Sequence, residues 1–134
     1  MSPDELKGLI RSFVQDLARG DVAAAAAKFD AEKYYSHAWG GNLLETWTKM
    51  QAQSGALTDT TFEIEDLVAD GDRVMARSTL SFTHSGPLFG VPATGRRHSF
   101  TQIEMRRVEG GRIVEHWGGI REAIRLFEAL CATA

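Results

Sequence analysis

Between Leu6 and Leu17 the apolar residues Leu6, Leu9, Ile10, Phe13, Val14 and Leu17 recur at intervals of three and four. That spacing lines one face of a helix. Ser2-Pro3-Asp4-Glu5 supplies its start, with Ser as N-cap, Pro in the first helical position and Glu placed to bond back to the cap. Gly20 ends the run, and Asp21 caps a second predicted helix through the alanines to Phe29. Residues 30–41 (D-A-E-K-Y-Y-S-H-A-W-G-G) break the period and gather two tyrosines, a histidine and a tryptophan. Leu43, Leu44, Trp47 and Met50 then form a third, shorter apolar stripe.

After Gly55 the period changes from helical to strand-like. Thr60–Asp70 alternates, and Asp70-Gly71-Asp72 is a turn signal. Arg73–His84 reads as a second strand, Arg96–Glu109 as a long third, and Arg112–Ile120 as its partner across the Gly110-Gly111 turn. Gly86–Gly95 is a loop, though an apolar one, and residues 121–131 read as a closing helix. Helices in a block followed by antiparallel strands imply an α+β fold, with the N-terminal helices packed on one sheet. Strands this long must bend, so the sheet is expected to curve strongly and enclose a pocket. The chain of 134 residues reads as a single domain over 1–134.

Composition narrows the function classes. The net charge of −3 is too mild to suggest a nucleic-acid or membrane-surface partner, and the longest uncharged apolar run, Val22–Ala27, is far short of a membrane span. The start M-S-P-D-E shows no secretory signal, and the single Cys131 allows no internal disulfide, so a reducing cytoplasm is expected. Residues 1–67 carry 6 basic and 11 acidic side chains, residues 68–134 carry 9 and 7, and all nine of those bases are Arg. Cross-strand ion pairs account for such arginines, as would an anionic ligand or a second subunit. Four histidines and one cysteine occur without metal-ligand spacing, and no phosphate loop, Rossmann fingerprint or nucleophile elbow is present. No metal and no cofactor is expected.

Three segments are distinctive: F-E-I-E-D-L-V-A-D-G-D-R-V-M-A-R, then T-H-S-G-P-L-F-G-V-P-A-T-G-R-R, then I-E-M-R-R-V-E-G-G-R-I-V-E-H-W. In that order they resemble the SnoaL-like polyketide cyclases, of the superfamily with the nuclear-transport-factor-like, cone-shaped α+β barrel. The resemblance runs over residues 5–127, with Tyr34–His37 echoing an aromatic-plus-histidine segment after the second helix. It implies that Glu104, in Ile103-Glu104-Met105-Arg106, points into the cavity. Alternation along the strands then puts His98, Phe100, Gln102 and Arg106 on the same face, with Val114, His116, Gly118 and Ile120 on the partner strand. One position departs from the pattern. Cyclases of this kind carry an Asp directly after the Trp of E-H-W, as general acid/base; here that position is Gly118, and Arg121 stands where an acidic residue is frequent.

The candidate catalytic residues are Glu104, His116 and His37. A carboxyl group desolvated in a cavity has its pKa raised and can shuttle protons near neutrality, and a facing histidine is its natural partner. The bland alternatives are an ion pair of Glu104 with His98 or Arg106 and structural hydrogen bonds for the two histidines. Tyr35, Trp39, Trp47, Phe82, His98, Phe100 and Gly118 are the candidate substrate-binding residues, while His84 reads as a surface residue.

Two functions follow. One is a small-molecule enzyme of isomerase, cyclase or dehydratase (lyase) type, acting on a hydrophobic, carbonyl-bearing substrate. The other is a non-catalytic binder of hydrophobic ligands, for which Gly118 is the argument. An epoxide hydrolase would need an Asp–Arg–Asp arrangement, of which Glu104 and Arg106 are only part. The same parity leaves Met75, Ile103, Met105, Ile113 and Trp117 on the outer sheet face among Arg77, Arg107 and Glu115. An apolar patch of that size, with Arg and Glu to set register, predicts a homodimer packed sheet to sheet with Trp117 near its centre.

Overall fold

The first helix, α1 (Pro3–Ala18), starts on the capping box. Ser2 Oγ accepts from the Glu5 amide at 3.1 Å and the Glu5 carboxylate accepts from the Ser2 amide at 2.8 Å. Its apolar stripe buries Leu6, Ile10 and Phe13. Asp21 caps α2 (Val22–Ala27) by accepting from the Ala24 amide at 3.1 Å. Buried Asp16 on α1 pairs with Lys28 just past α2 and with Arg19, tying the two helices at one end. A two-residue strand, β1 (Tyr35–Ser36), follows, then α3 (Leu43–Ala52) and a short 3-10 turn at Ser54–Ala56. The sheet is completed by β2 (Leu57–Asp70), β3 (Arg73–His84), β4 (Arg97–Glu109) and β5 (Arg112–Gly118).

This is a computed structural model, which describes residues 1–52, 54–88 and 90–119, with Leu126, Ala129, Leu130 and Ala132 beyond them. Those last four are helical; Ile120, Arg121, Cys131 and the rest of the expected closing helix lie outside the described residues, as do Phe89 and the side chain of Met50. No helix of the described residues is long and apolar enough to cross a membrane.

The strands lie in the order β1-β5-β4-β3-β2. The sheet is mixed rather than purely antiparallel, because β1 joins its edge parallel to β5, pairing Tyr35 with Glu115 and Ser36 with His116. No strand is expected there from the sequence, since two residues carry no periodicity. Register shifts between Ile64 and Asp66 on β2, and between Arg107 and Val108 against β5, are bulges that bend the sheet into a cone. Helices cover its concave side.

The packed core fills one end of that cone. Val74, Val108 and Ile113, beside the hairpin turns, meet Leu6, Ile10 and Phe29 from the helices. The second bulge also corrects the expected outer face. Arg107 pairs with Glu115 but Val108 pairs with Ile113, so Val114 is the extra residue and parity reverses beyond it. Ile113 is therefore 0% exposed, in the core, and not part of the outer patch.

Candidate active site

The rest of the concave side is left open as a cavity of about 470 Å³. Its walls are mostly rings and aliphatic chains, among them Trp39, Trp47, Phe62, Phe82 and Phe100. The polar groups concentrate on β4 and β5 and beside β1. The inward face of β4 presents Gln102, Glu104 and Arg106 at successive alternate positions, and His116 of β5 pairs opposite Arg106.

Glu104 is the hub. Its Oε2 accepts from His116 Nε2 at 2.6 Å and from Arg106 Nη2 at 3.1 Å, and its Oε1 accepts from Gln102 Nε2 at 2.9 Å. Burial by itself would raise its pKa. The Arg106 charge, followed by the His116 hydrogen bond and charge and the Arg106 hydrogen bond, overcomes that and holds the carboxyl at about 2. The expectation of a raised Glu104 pKa is thus reversed, because the charges and hydrogen bonds of Arg106 and His116 together outweigh desolvation. Arg106 itself lies 5.3 Å from the centre of the Phe13 ring, which fixes its guanidinium over the apolar floor.

His116 is held at both nitrogens. Nε2 must donate, since a carboxylate only accepts. Nδ1 lies 3.0 Å from Ser36 Oγ, which also accepts from the Trp39 amide at 3.0 Å. With that lone pair occupied, the Ser36 hydroxyl is free to donate to Nδ1, which fixes the Nε2–H tautomer of the neutral ring. Tyr34 joins the same chain. Burial pushes its phenol up, against smaller opposing effects from the Arg106 charge and a hydrogen bond with Ser36. A continuous polar chain therefore runs from Tyr34 in the cavity wall through Ser36 and His116 to Glu104.

The remaining predicted residues separate by parity. Trp39, Trp47, Phe82, Phe100 and Gly118 line the cavity with Glu104 and His116. Tyr35 and His37 do not. In β1 and the residues flanking it, Tyr34 and Ser36 face inward, so Tyr35 and His37 face outward beside Glu115. Tyr35 is 46% exposed, and His37 Nε2 meets the Glu115 carboxylate at 2.7 Å while its ring stacks 5.0 Å from Trp117. That outer network continues from Glu115 through Arg107 and Glu109 to Lys33. His98 lies in a separate, smaller recess with Phe82 and His84. Sequence reasoning missed Tyr34 and Ser36, although alternation applied to Y-Y-S-H would have paired them. Among the described residues no group of three or more His, Cys, Asp or Glu is placed to hold a metal ion, and Glu104 is the one carboxylate in the cavity lining.

A model of the SnoaL-like polyketide cyclases matches residues 9–123. The chain belongs to that family. Among solved structures, this SnoaL-like chain is similar to AclR of Streptomyces galilaeus, a candidate hydroxylase, with a TM-score of 0.79 and 29% identity over 95% of this chain and 98% of that one. IdmH of Streptomyces antibioticus, a candidate polyketide cyclase, gives a TM-score of 0.69 and 28% identity over 91% and 98%. Aklanonic acid methyl ester cyclase DnrD of Streptomyces peucetius is 45% identical over 47 residues. That match spans 35% of this chain and only 32% of the relative. The fold is the cone-shaped α+β fold of nuclear-transport-factor-like proteins.

For a SnoaL-like chain the notable position is 118. The Gly118 backbone has φ +89, and a Cβ built there would lie 2.5 Å from the Ile103 carbonyl oxygen. The backbone holds a conformation that glycine alone adopts without strain. Gly119 follows at φ +80 and donates its amide to that same Ile103 oxygen at 2.8 Å. The expected Asp is not merely absent; this backbone has no place for its side chain.

Proposed function

We propose that this chain is a small-molecule enzyme that takes a flat, hydrophobic, carbonyl-bearing compound into the cavity and moves a proton on it, in an isomerisation, cyclisation or dehydration. The observation that carries the reading is the buried Tyr34–Ser36–His116–Glu104 chain, with Arg106, opening onto an aromatic cavity. The substrate carbonyl oxygen is held against Arg106, whose positive charge stabilises the enolate that forms when an α proton leaves. The proton is taken up at Nδ1 of His116 by way of the hydroxyl groups, ionised Glu104 stabilises the imidazolium, and the imidazolium later returns the proton along the same hydroxyl groups. Glu104 acts here as the fixed partner and not as the base. The curated relative is a cyclase, which agrees with this chemistry, and the single Cys131 of the sequence fits a reducing cytoplasm.

One observation favours a non-catalytic binder: both ring nitrogens of His116 and both oxygens of Glu104 already have protein partners. Mass spectrometry of compounds retained by the purified protein, followed by a panel of aldol, isomerase and dehydratase substrates, separates the two. The enzyme reading expects turnover that H116Q abolishes while ligand retention persists. A retained ligand that is never converted, or H116Q turnover equal to wild type, rejects it.

A further inference from the structure

The smaller recess holds an unused polar group. His84, at the end of β3, is only 5% exposed and not the surface residue that its sequence position suggested. The recess has a volume of about 270 Å³ and is lined by Phe82, His84, Leu88, Val91 and His98. Phe82 and Leu88 also line the main cavity, so the two spaces share a wall. Among the described residues, His84 Nε2 is buried with no hydrogen-bond partner. An unpaired buried N–H costs a large part of its hydration, so its retention in an otherwise apolar lining calls for an explanation.

The partner on the other nitrogen tells what Nε2 offers. Nδ1 lies 3.1 Å from Thr94 Oγ1, which also accepts from the Arg96 amide at 3.3 Å. This repeats the arrangement at His116, where Ser36 Oγ accepts from a backbone amide and donates to Nδ1. At His116 the carboxylate fixes the proton on Nε2; at His84 the same hydroxyl arrangement lets Thr94 Oγ1 donate to Nδ1, and the proton is then carried by Nε2 of a side chain that lines the recess. His98, its ring centre 6.4 Å away, is the second imidazole of this space.

We infer that His84 Nε2–H is a second anchoring point, binding an oxygen acceptor at the far end of the molecule that the cavity holds. This rests on the proposed function, because it takes the main cavity to be a ligand site. Glu104 pairs with Ala76 on β3, and His84 lies eight residues further along the same strand, so the two polar centres stand at opposite ends of the aromatic lining. The substrate class sharpens accordingly: an extended aromatic carbonyl compound with a carbonyl, carboxylate or ether oxygen remote from the reacting centre.

Two probes test it, anthraquinone-2-carboxylate and 2-methylanthraquinone, both followed by quenching of the fluorescence of Trp39 and Trp47 in the cavity wall. In H84F, which keeps an aromatic ring at this position but loses the donor, affinity for the carboxylate should fall by about tenfold or more while the methyl probe binds unchanged. T94V alters an exposed position and leaves Nε2 in place, so it should fold normally. It should weaken the carboxylate probe alone, by a factor smaller than H84F does, because the proton is no longer held on Nε2. If both variants bind both probes as wild type does, or lose both equally, His84 is not an anchor although the cavity remains a ligand site. If neither probe quenches the wild-type protein, the ligand-site reading fails and this inference fails with it.

Discussion

A carboxylate that accepts from Gln102, Arg106 and His116 at once is a different reagent from one alone in an apolar cavity. Glu104 was legible as an inward residue from the family resemblance, but its charge state depended on neighbours that sequence places only approximately. Since its pKa falls from 4.5 to about 2 on folding, its contribution is present above about pH 4.5 and is lost as pH falls through 2. The shift corresponds to roughly 3 kcal/mol. Urea unfolding between pH 6 and pH 2 should show that loss in wild type, and E104Q should flatten it. E104Q also leaves the Arg106 guanidinium, 12% exposed, without its counter-charge. It should therefore destabilise the fold at neutral pH by about 3–5 kcal/mol. At position 118 the prediction has a similar sense. G118D should not restore the expected Asp but should lower stability by roughly 1–3 kcal/mol, read as a lower Tm, since the left-handed backbone and the Ile103 carbonyl oppose any Cβ. An unchanged Tm would show that the backbone relaxes at little cost.

At the scale of elements, periodicity located α1, β3 and β4 closely, because each carries many alternating or helically spaced residues. It failed where elements are short or irregular. The strand Tyr35–Ser36 has no period of its own, and its parity, set by pairing with β5, decides that Ser36 and not His37 reaches the cavity. The bulge at Val114 likewise reverses the facing of everything before it in β5, and no turn residue announces it. Ile113 and Ile103 make the comparison measurable. I113A, in the fully buried core, should cost about 2–5 kcal/mol, whereas I103A, on a side chain 56% exposed, should change denaturant stability by less than about 0.5 kcal/mol in the monomer. Equal costs would return Ile113 to the outer face.

The whole molecule divides into a packed end, an open cavity and an outer sheet face. Without Ile113 that face still holds a row across three strands, Met75 beside Met105 beside Trp117, with Ile103 and Arg77 paired next to it. Trp117 sits between the His37 ring and the Arg73 guanidinium, so it is presented rigidly. We expect a homodimer through this face: sedimentation equilibrium at micromolar concentration should give twice the chain mass for wild type and a monomer for W117E. A monomeric wild type, or a W117E variant that stays dimeric, removes that arrangement. The fold was largely written in the order of periodicities, and the cavity in the length of the strands. The chain joining Tyr34, Ser36, His116 and Glu104 was only half legible, because it depends on a contact between residues 80 apart in sequence. Its function can be read without knowing the natural substrate. If His116 abstracts a proton next to a bound carbonyl, the protein should catalyse exchange of the α protons of a flat aryl ketone such as 1-tetralone in D2O, followed by proton NMR. Wild type should exchange them saturably and well above the buffer rate, and H116Q should not; exchange at the buffer rate in wild type, or equal exchange in H116Q, would contradict the proposed chemistry.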